Sequence, residues 1–229
     1  MIQFVFLDLD DTILDFHKAE ALALSDTLRV LEIEPTEDRL ALYSQINAAQ
    51  WRRLERGELT RAEVLTTRFR LFFEQIGVQR SCEKAQRAYE ARLSQGHFFI
   101  DGAIEMLDAL SEKYQLYLVS NGNLTVQRGR LQSAAISHYF REMFISEQIG
   151  ADKPSKAFFD RCFAHIPQFH PARAIIVGDS LTSDIRGGIN AGIRTCWFNP
   201  NGLPSADDLK ADYEIASLKE LAPLLDSIP

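Results

Sequence analysis

The sequence predicts an α/β protein in which a doubly wound parallel sheet carries an inserted four-helix domain. From residue 100 onward, short apolar stretches alternate with helical patterns, which predicts a parallel sheet with helices on both faces. Residues 16–96 have helical patterns only. An apolar stretch at residues 2–7 precedes them and is expected to join the same sheet. We therefore expect an α/β core formed by 1–15 and 97–229 and an all-helical cap formed by 16–96.

The insert has the spacing and the end signals of four helices. Leu24, Leu28 and Leu31 repeat three and four residues apart, as on one face of a helix. Thr60 followed by Glu63 forms a capping box, which marks a helix start. The helices are predicted at 17–31, 36–56, 60–76 and 81–95.

The remaining elements belong to the core. Short runs rich in β-branched and aromatic residues, such as Ile175-Ile176-Val177, are typical of buried strands. After the first strand at 2–7, further strands are predicted at 116–119, 143–145, 174–177 and 195–198. The helices between them are predicted at 102–110, 124–135, 155–166 and 184–191.

Composition and charge limit the possible partners. The 229 residues contain 25 Lys and Arg against 32 Asp and Glu, and the net charge of −7 argues against a nucleic-acid polymer as partner. No apolar run approaches the roughly 18 residues of a membrane span. The three cysteines are far apart and lack metal-type spacing. Since no basic region precedes the first strand, we expect no signal peptide and a cytoplasmic protein.

Carboxylates are crowded at the end of the first predicted strand, where Asp8, Asp10 and Thr12 follow the apolar stretch. In an open α/β sheet, ligands bind outside the carboxyl ends of the strands. Crowded carboxylates repel each other, and a bound cation stabilises them. This pattern favours Asp8 as a nucleophile or metal ligand and Asp10 as a general acid and base. The alternative is an Asp-rich turn that only caps a helix.

Two further groups lie at the same predicted edge. Ser120, Asn121 and Gly122 follow the second strand of the core, and a hydroxyl, an amide and a close-approaching backbone suit a phosphate oxygen. Lys153 precedes a predicted helix and offers a point charge for a phosphate. Taken alone, the first group is an ordinary turn and the second an ordinary solvated lysine.

A second carboxylate pair, Asp179 and Asp184, follows the strand that ends at Val177. Hard oxygen ligands of this kind suit Mg²⁺. Asp184 could instead be only a helix N-cap. Together the four groups provide a nucleophile, a second carboxylate, a hydroxyl, a lysine and a metal site. This set is typical of phosphoryl transfer through an aspartyl-phosphate.

The four motifs, in this order and spacing, resemble those of the haloacid dehalogenase-like hydrolase superfamily over nearly the whole chain. The resemblance implies a Rossmann-like core with a helical cap. It also implies that Asp8 attacks phosphorus and that Asp10 protonates the leaving group and later activates water. Ser120 and Lys153 would hold the phosphoryl group.

The same resemblance implies a Mg²⁺ site. Asp8, the backbone carbonyl of Asp10, and Asp179 would bind the ion, and Asp184 would bind it either directly or through water. True dehalogenases of the superfamily lack the second Asp of the first motif. Because Asp10 is present, phosphoester chemistry is favoured.

The cap sequence resembles a narrower group. Residues 51–58, followed by 67–69, are similar to bacterial pyrimidine 5′-nucleotidases of the cap-bearing branch, as are residues 187–192. Sugar-acid phosphatases such as N-acylneuraminate-9-phosphatase have similar caps. A small phosphorylated metabolite is the expected partner, with Phe16, Arg68, Asn121 and Gly122 as substrate-contacting candidates.

Three alternative functions and the assembly stay open at this level. A sugar phosphatase would use the same core. A phosphomutase would use the same aspartyl-phosphate but return the phosphoryl group to a bisphosphate intermediate instead of passing it to water. A non-catalytic binding protein is a further alternative. Such a protein would be expected to have lost Asp8, Asp10 or Lys153, and all three are present here. The assembly is expected to be a monomer or a homodimer.

Overall fold

The structure is a computed structural model that describes residues 1–205 and 209–229. Six strands are present in these ranges: β1 (Phe4–Leu7), β2 (Gln115–Ser120), β3 (Phe140–Ile145), β4 (Ala174–Gly178), β5 (Arg194–Phe198) and β6 (Tyr213–Ile215). They form one sheet in the order β3-β2-β1-β4-β5-β6, and all neighbouring strands run parallel. The predicted doubly wound α/β fold is therefore confirmed.

The central strand β1 is buried on both faces of the sheet. Val5 and Leu7 pack into the hydrophobic cluster on one face, whereas Phe4 and Phe6 pack into the cluster on the other. Alternate side chains of a strand point to opposite faces, so a strand covered on both sides is apolar throughout. The continuous apolar run at the amino terminus of the sequence has this cause.

Four helices follow β1 before the chain returns to the sheet: α1 (Phe16–Val30), α2 (Glu37–Glu55), α3 (Arg61–Gln75) and α4 (Cys82–Leu93). Each lies within one or two residues of its predicted bounds. Their N-caps are side chains that accept a hydrogen bond from the first turn, at Asp15, Thr36, Thr60 and Ser81. The capping box of Thr60 and Glu63 is present as predicted.

These four helices bury a core of their own, rich in aromatic rings. Tyr43 packs against Phe69 with ring centroids 4.9 Å apart and against Tyr89 at 5.4 Å. Phe72 and Phe73 complete this cluster and are also buried. The division of the chain into a core and a cap of residues 16–96 stays a prediction, and "cap" is used below for these helices.

Two antiparallel connections join the cap to the core. Leu14 and Phe99 form an isolated bridge, Asp15 N–H donates to Phe98 O at 2.8 Å, and Ile100 N–H donates to Ile13 O at 3.0 Å. Because the outgoing and returning segments are bonded to each other, they hold the cap next to the carboxyl edge of the sheet.

The core helices are α5 (Ala103–Ser111), α6 (Leu124–Ser133), α7 (Ser146–Ile149), α8 (Lys156–Ala164), α9 (Arg186–Ala191) and α10 (Leu221–Ser227). The sequence did not predict β6, α7 or α10. The helix predicted at 184–191 is a π-helical turn, Leu181–Ile185, that continues into α9. None of the helices in the described residues is long and apolar enough to cross a membrane.

Candidate active site

The site lies where the strand order of the sheet reverses. After β1 the chain builds β2 and β3 on one side and then crosses to β4 on the other. A crevice forms at such a point, outside the carboxyl ends of the two central strands. Asp8 follows β1 and Asp179 follows β4. The loop after β1 is bonded to the loop after β4, because Asp179 N–H donates to Thr12 Oγ1 at 3.1 Å.

Three carboxylates converge in this crevice. Asp8, Asp179 and Asp184 each offer an oxygen that lies within 4.8 Å of the others. Asp184 is brought close by the π-helical turn and by Gly178, where a Cβ would lie only 2.2 Å from Asp184 Oδ2. The N-cap of the turn is Ser180, so the alternative that Asp184 is only an N-cap is wrong.

Lys153 lies among these carboxylates with its side chain only 2% exposed. Its Nζ donates to Asp8 Oδ1 at 2.6 Å, to Asp184 Oδ1 at 2.7 Å and to the carbonyl of Val119 at 3.0 Å. An ammonium group has three donors, and all three are used. Asn121 fixes the backbone of Lys153 through two hydrogen bonds of 2.8 Å, one in each direction.

The charges in this cluster do not balance. Burial raises the pKa of Asp8 to about 8, the nearby carboxylates of Asp184 and Asp10 act in the same direction, and Lys153 opposes them. Burial and the charge of Asp8 also raise the pKa of Asp179 well above its usual range. Burial favours the neutral form of Lys153, but Asp184 and Asp8 outweigh it and raise the pKa of the lysine. Three acids facing one ammonium group fit a bound divalent cation.

The loop after β2 supports the site from the other side. Ser120 Oγ accepts hydrogen bonds from Gly122 N–H at 3.0 Å and from Gln127 Nε2 at 2.8 Å. A Cβ at Gly122 would lie 2.4 Å from Gln127 Nε2, so only glycine leaves room for this glutamine. Asn121 and Gly122 therefore stabilise the site, and both also line the cavity described below.

Asp10 has partners that the sequence did not reveal. Gln127 Nε2 donates to Asp10 Oδ2 at 2.7 Å, and Arg130 forms an ion pair with Asp10 Oδ1. Both residues are in α6, whose N-cap is Asn123, just after the Ser120 loop. Their spacing of three residues places them on one helix face. A sequence argument could have found this face by following the helix one turn past the loop.

Above the carboxylates lies a cavity of about 380 Å³ between core and cap. The predicted site residues all line it: Asp8, Asp10, Phe16, Arg68, Ser120, Asn121, Gly122, Lys153, Asp179 and Asp184. The structure thus brings together every predicted site residue. Cap residues that were not predicted also line it, including Glu20 and Asn47.

A cap arginine contacts the core beside this cavity, at two residues that line it. Arg61, at the start of α3, donates to the carbonyl of Gly122 at 3.0 Å and to that of Asn121. It also contacts the hydroxyl of Ser146 and the carboxylate of Asp152. One cap side chain thus touches both the Ser120 loop and the residue before Lys153. The sequence did not indicate Arg61.

Comparison with known proteins assigns the family. A model of the haloacid dehalogenase-like hydrolases matches residues 5–198. This chain belongs to that family. The chain is therefore a hydrolase of this family, in agreement with the motif resemblance.

Several relatives resemble this chain in different degrees. Pyrimidine 5′-nucleotidase PynA of Streptococcus pneumoniae is 36% identical over 98% of this chain and 95% of that protein. A crystal structure of the HAD-hydrolase YfnB of Bacillus subtilis, bound to magnesium and showing interdomain movement, has a TM-score of 0.94 and 40% identity, covering 98% of this chain and 99% of that one. Human N-acylneuraminate-9-phosphatase is 34% identical over only 54% of this chain and 50% of that protein.

Proposed function

We propose that this hydrolase is a Mg²⁺-dependent 5′-nucleotidase for pyrimidine nucleoside monophosphates that works through an aspartyl-phosphate on Asp8. The observation that carries the proposal is the pairing of buried Asp8 with Lys153 in a cavity that cap residues also line. The similarity to PynA, a pyrimidine 5′-nucleotidase, extends over 98% of this chain and so includes the cap.

In this proposal Asp8 is the nucleophile. A carboxylate oxygen of Asp8 forms a bond to phosphorus while the bond from phosphorus to the 5′-oxygen breaks, and Asp10 gives that oxygen a proton. Asp10 then takes a proton from water, whose oxygen attacks phosphorus and releases inorganic phosphate and free Asp8. Ser120 and Lys153 hold the phosphoryl oxygens, with Lys153 already 2.6 Å from Asp8.

The carboxylates fit Mg²⁺ because they supply hard oxygen ligands with an excess of negative charge. Asp8, Asp179 and Asp184 would hold the ion, and the motif resemblance adds the backbone carbonyl of Asp10. When bound, the ion neutralises the charge that otherwise separates a phosphate from a carboxylate nucleophile. Asp184 is also bonded to Lys153 and to Ser180 N–H, which orients its oxygens.

The cap presents a buried polar row to the leaving group. Arg68 Nη1 donates to Asn47 Oδ1 at 3.0 Å, and Asn47 Nδ2 donates to Glu20 Oε1 at 2.7 Å. Trp51 Nε1 donates to the same Asn47 oxygen at 3.1 Å. A pyrimidine base has a rim of carbonyl and N–H groups that can exchange hydrogen bonds with such a row. The rings of Trp51 and Phe16 line the same cavity and offer apolar surface to the base.

The first expected result is substrate selectivity. The value of kcat/KM for UMP or dTMP should exceed that for AMP and for sugar phosphates by at least about tenfold, or about 1.4 kcal/mol of transition-state binding. The measurement is phosphate release with Mg²⁺ across this panel. A sugar phosphate ahead by the same factor would assign the chain to the sugar-phosphatase alternative. Turnover without release of phosphate to water would indicate a phosphomutase.

The second expected result concerns Arg68. Replacing Arg68 with Met should lower kcat/KM for the pyrimidine nucleotide by about 10- to 100-fold, because the polar row loses the donor that orients Asn47. Hydrolysis of p-nitrophenyl phosphate, which has no base, should change little. The matched control is Arg70→Met in the same helix, where Arg70 is exposed and paired with Glu74. An equal loss on both substrates would show that Arg68 does not contribute to recognition of the pyrimidine base.

A further inference from the structure

Two side chains of one core helix hold both carboxylate oxygens of Asp10. Arg130 Nη1 pairs with Oδ1, and Gln127 Nε2 donates to Oδ2 at 2.7 Å. The Asp10 side chain is 28% exposed, so without these two partners it would be free to rotate toward solvent. Its orientation is instead fixed by α6, an element that carries none of the four sequence motifs.

Arg130 is costly to keep in this position because its side chain is completely buried. Taking a guanidinium group out of water is unfavourable unless it is paired. Its Nε donates to the carbonyl of Gly96 at 3.0 Å, and its Nη2 has no hydrogen-bond partner in residues 1–205 and 209–229. An apolar side chain would fill this space without an unpaired donor. A charged side chain at this buried position is therefore explained by its ion pair with Asp10.

The same guanidinium group touches both connections between core and cap. The carbonyl of Gly96 belongs to the segment that returns from the cap, and Phe16, whose ring centroid lies 5.8 Å from Arg130 Cζ, is the first residue of α1. Both contacts change if the cap moves relative to the sheet. Arg130 thus joins the position of the cap to the position of Asp10.

Helix α6 is itself seated against the cap. Val126 packs into the hydrophobic cluster of the cap. Gly129 lies so close to the end of α4 that a Cβ there would be 2.7 Å from Ser94 Cβ. Ser133 Oγ donates to the carbonyl of Gln95 at 3.1 Å. Helix α6 therefore packs against the cap on one face and contacts Asp10 on another.

We propose that Arg130 is a positioning residue which, with Gln127, orients Asp10 for proton transfer and makes that orientation depend on the seating of the cap. The inference rests on the proposed function, since it takes Asp10 as the group that protonates the leaving oxygen. With the cap seated, Gly96 and Phe16 fix the guanidinium group, and the guanidinium group fixes the carboxylate. When the cap swings away, Arg130 loses these contacts and Asp10 its orientation, so proton transfer waits for closure.

The test compares leaving groups. In Arg130→Met, kcat for the best alkyl phosphomonoester of the substrate panel should fall by about 10²-fold, with KM changed less than about threefold. The rate for p-nitrophenyl phosphate should fall less than about fivefold, because a good leaving group needs no proton. Arg130→Lys keeps the charge and should recover part of the loss. The control is Arg128→Met, an exposed arginine of the same helix bonded to Gln148, which should behave as the wild type.

A double-mutant cycle with Asp10→Asn separates positioning from a general structural effect. If Arg130 acts through Asp10, adding Arg130→Met to Asp10→Asn should cost little more on the alkyl substrate. Additive losses, equal losses on both leaving groups, or no loss in Arg130→Met would each overturn the inference while leaving the proposed function standing. If Arg130→Met does not fold, Arg130→Lys and Gln127→Leu carry the same comparison. A wild type inactive on every phosphomonoester would overturn the proposed function and this inference with it.

Discussion

Asp8→Asn is expected to lose at least about 10⁴-fold in kcat on every phosphomonoester, because the variant has no nucleophile to accept the phosphoryl group. The amide is nearly isosteric with the carboxylate and can still contact Lys153, so the geometry of the crevice should survive. The measurement is phosphate release at saturating substrate with Mg²⁺. Mass spectrometry of the quenched wild-type enzyme should in addition find a phosphorylated peptide that contains Asp8, absent in the variant.

Unfolding must be excluded as the cause of this loss. Burial and two neighbouring carboxylates raise the pKa of Asp8, so in metal-free protein its ionised form is unfavourable. The thermal midpoint of metal-free Asp8→Asn should therefore equal or exceed that of the wild type. Asp160→Asn, which removes an exposed carboxylate paired with Lys156, is the control and should retain full activity. More than a tenth of wild-type turnover in Asp8→Asn would rule out the covalent mechanism.

Metal removal is the second change with a large expected effect. Excess EDTA should abolish turnover, and Mg²⁺ added back in excess should restore it. The physical reason is the unbalanced charge of the crevice, where three carboxylates within 4.8 Å face one ammonium group. Without a cation, burial and mutual repulsion raise the pKa values of Asp8 and Asp179 and favour their protonated forms, and a protonated Asp8 is a poor nucleophile.

Binding can be measured without catalysis. Mg²⁺ at about 100 times its dissociation constant should raise the thermal midpoint of the wild type by about 5 °C, since ligand bound only to the folded state stabilises it by about 2.7 kcal/mol. Asp179→Asn should lose this shift, whereas Asp160→Asn should keep it. Full turnover in EDTA with metal shown to be absent, or an unchanged shift in Asp179→Asn, would remove the metal from the proposal.

The helices and strands of this protein were largely predictable because their signals are local. The spacing of Leu24, Leu28 and Leu31 and the capping box of Thr60 with Glu63 depend on neighbours within a few residues. The strand Tyr213–Ile215 was missed because it lacks such a local signal. It has only three residues, and its backbone is held by pairing with β5, where Cys196 lies opposite Tyr213.

The residues of the candidate site likewise differ in whether a local sequence pattern marks them. Asp8, Ser120, Lys153 and Asp179 were predictable as a group because parallel strands deliver their carboxyl ends to one edge of the sheet. Arg61 was not, because nothing near it in the sequence marks it. The place of Arg130 just past the Ser120 loop could have indicated its helix face, but not its pairing with Asp10. Each acquires its partners only when segments 34 to 120 residues apart are packed together.

The sequence by itself determined the fold class, the helical insert, the set of polar residues at the crevice and, through its motifs, the family. These follow from periodicity, strand ends and side-chain chemistry, which are properties of short stretches. Only the tertiary structure decided that Lys153 is buried between Asp8 and Asp184, that Asn47 joins Arg68 to Glu20 in the cap, and that Arg130 holds Asp10. The reason is that hydrogen bonds and ion pairs are short-range, so their partners are chosen by the packing of distant segments and not by the local pattern.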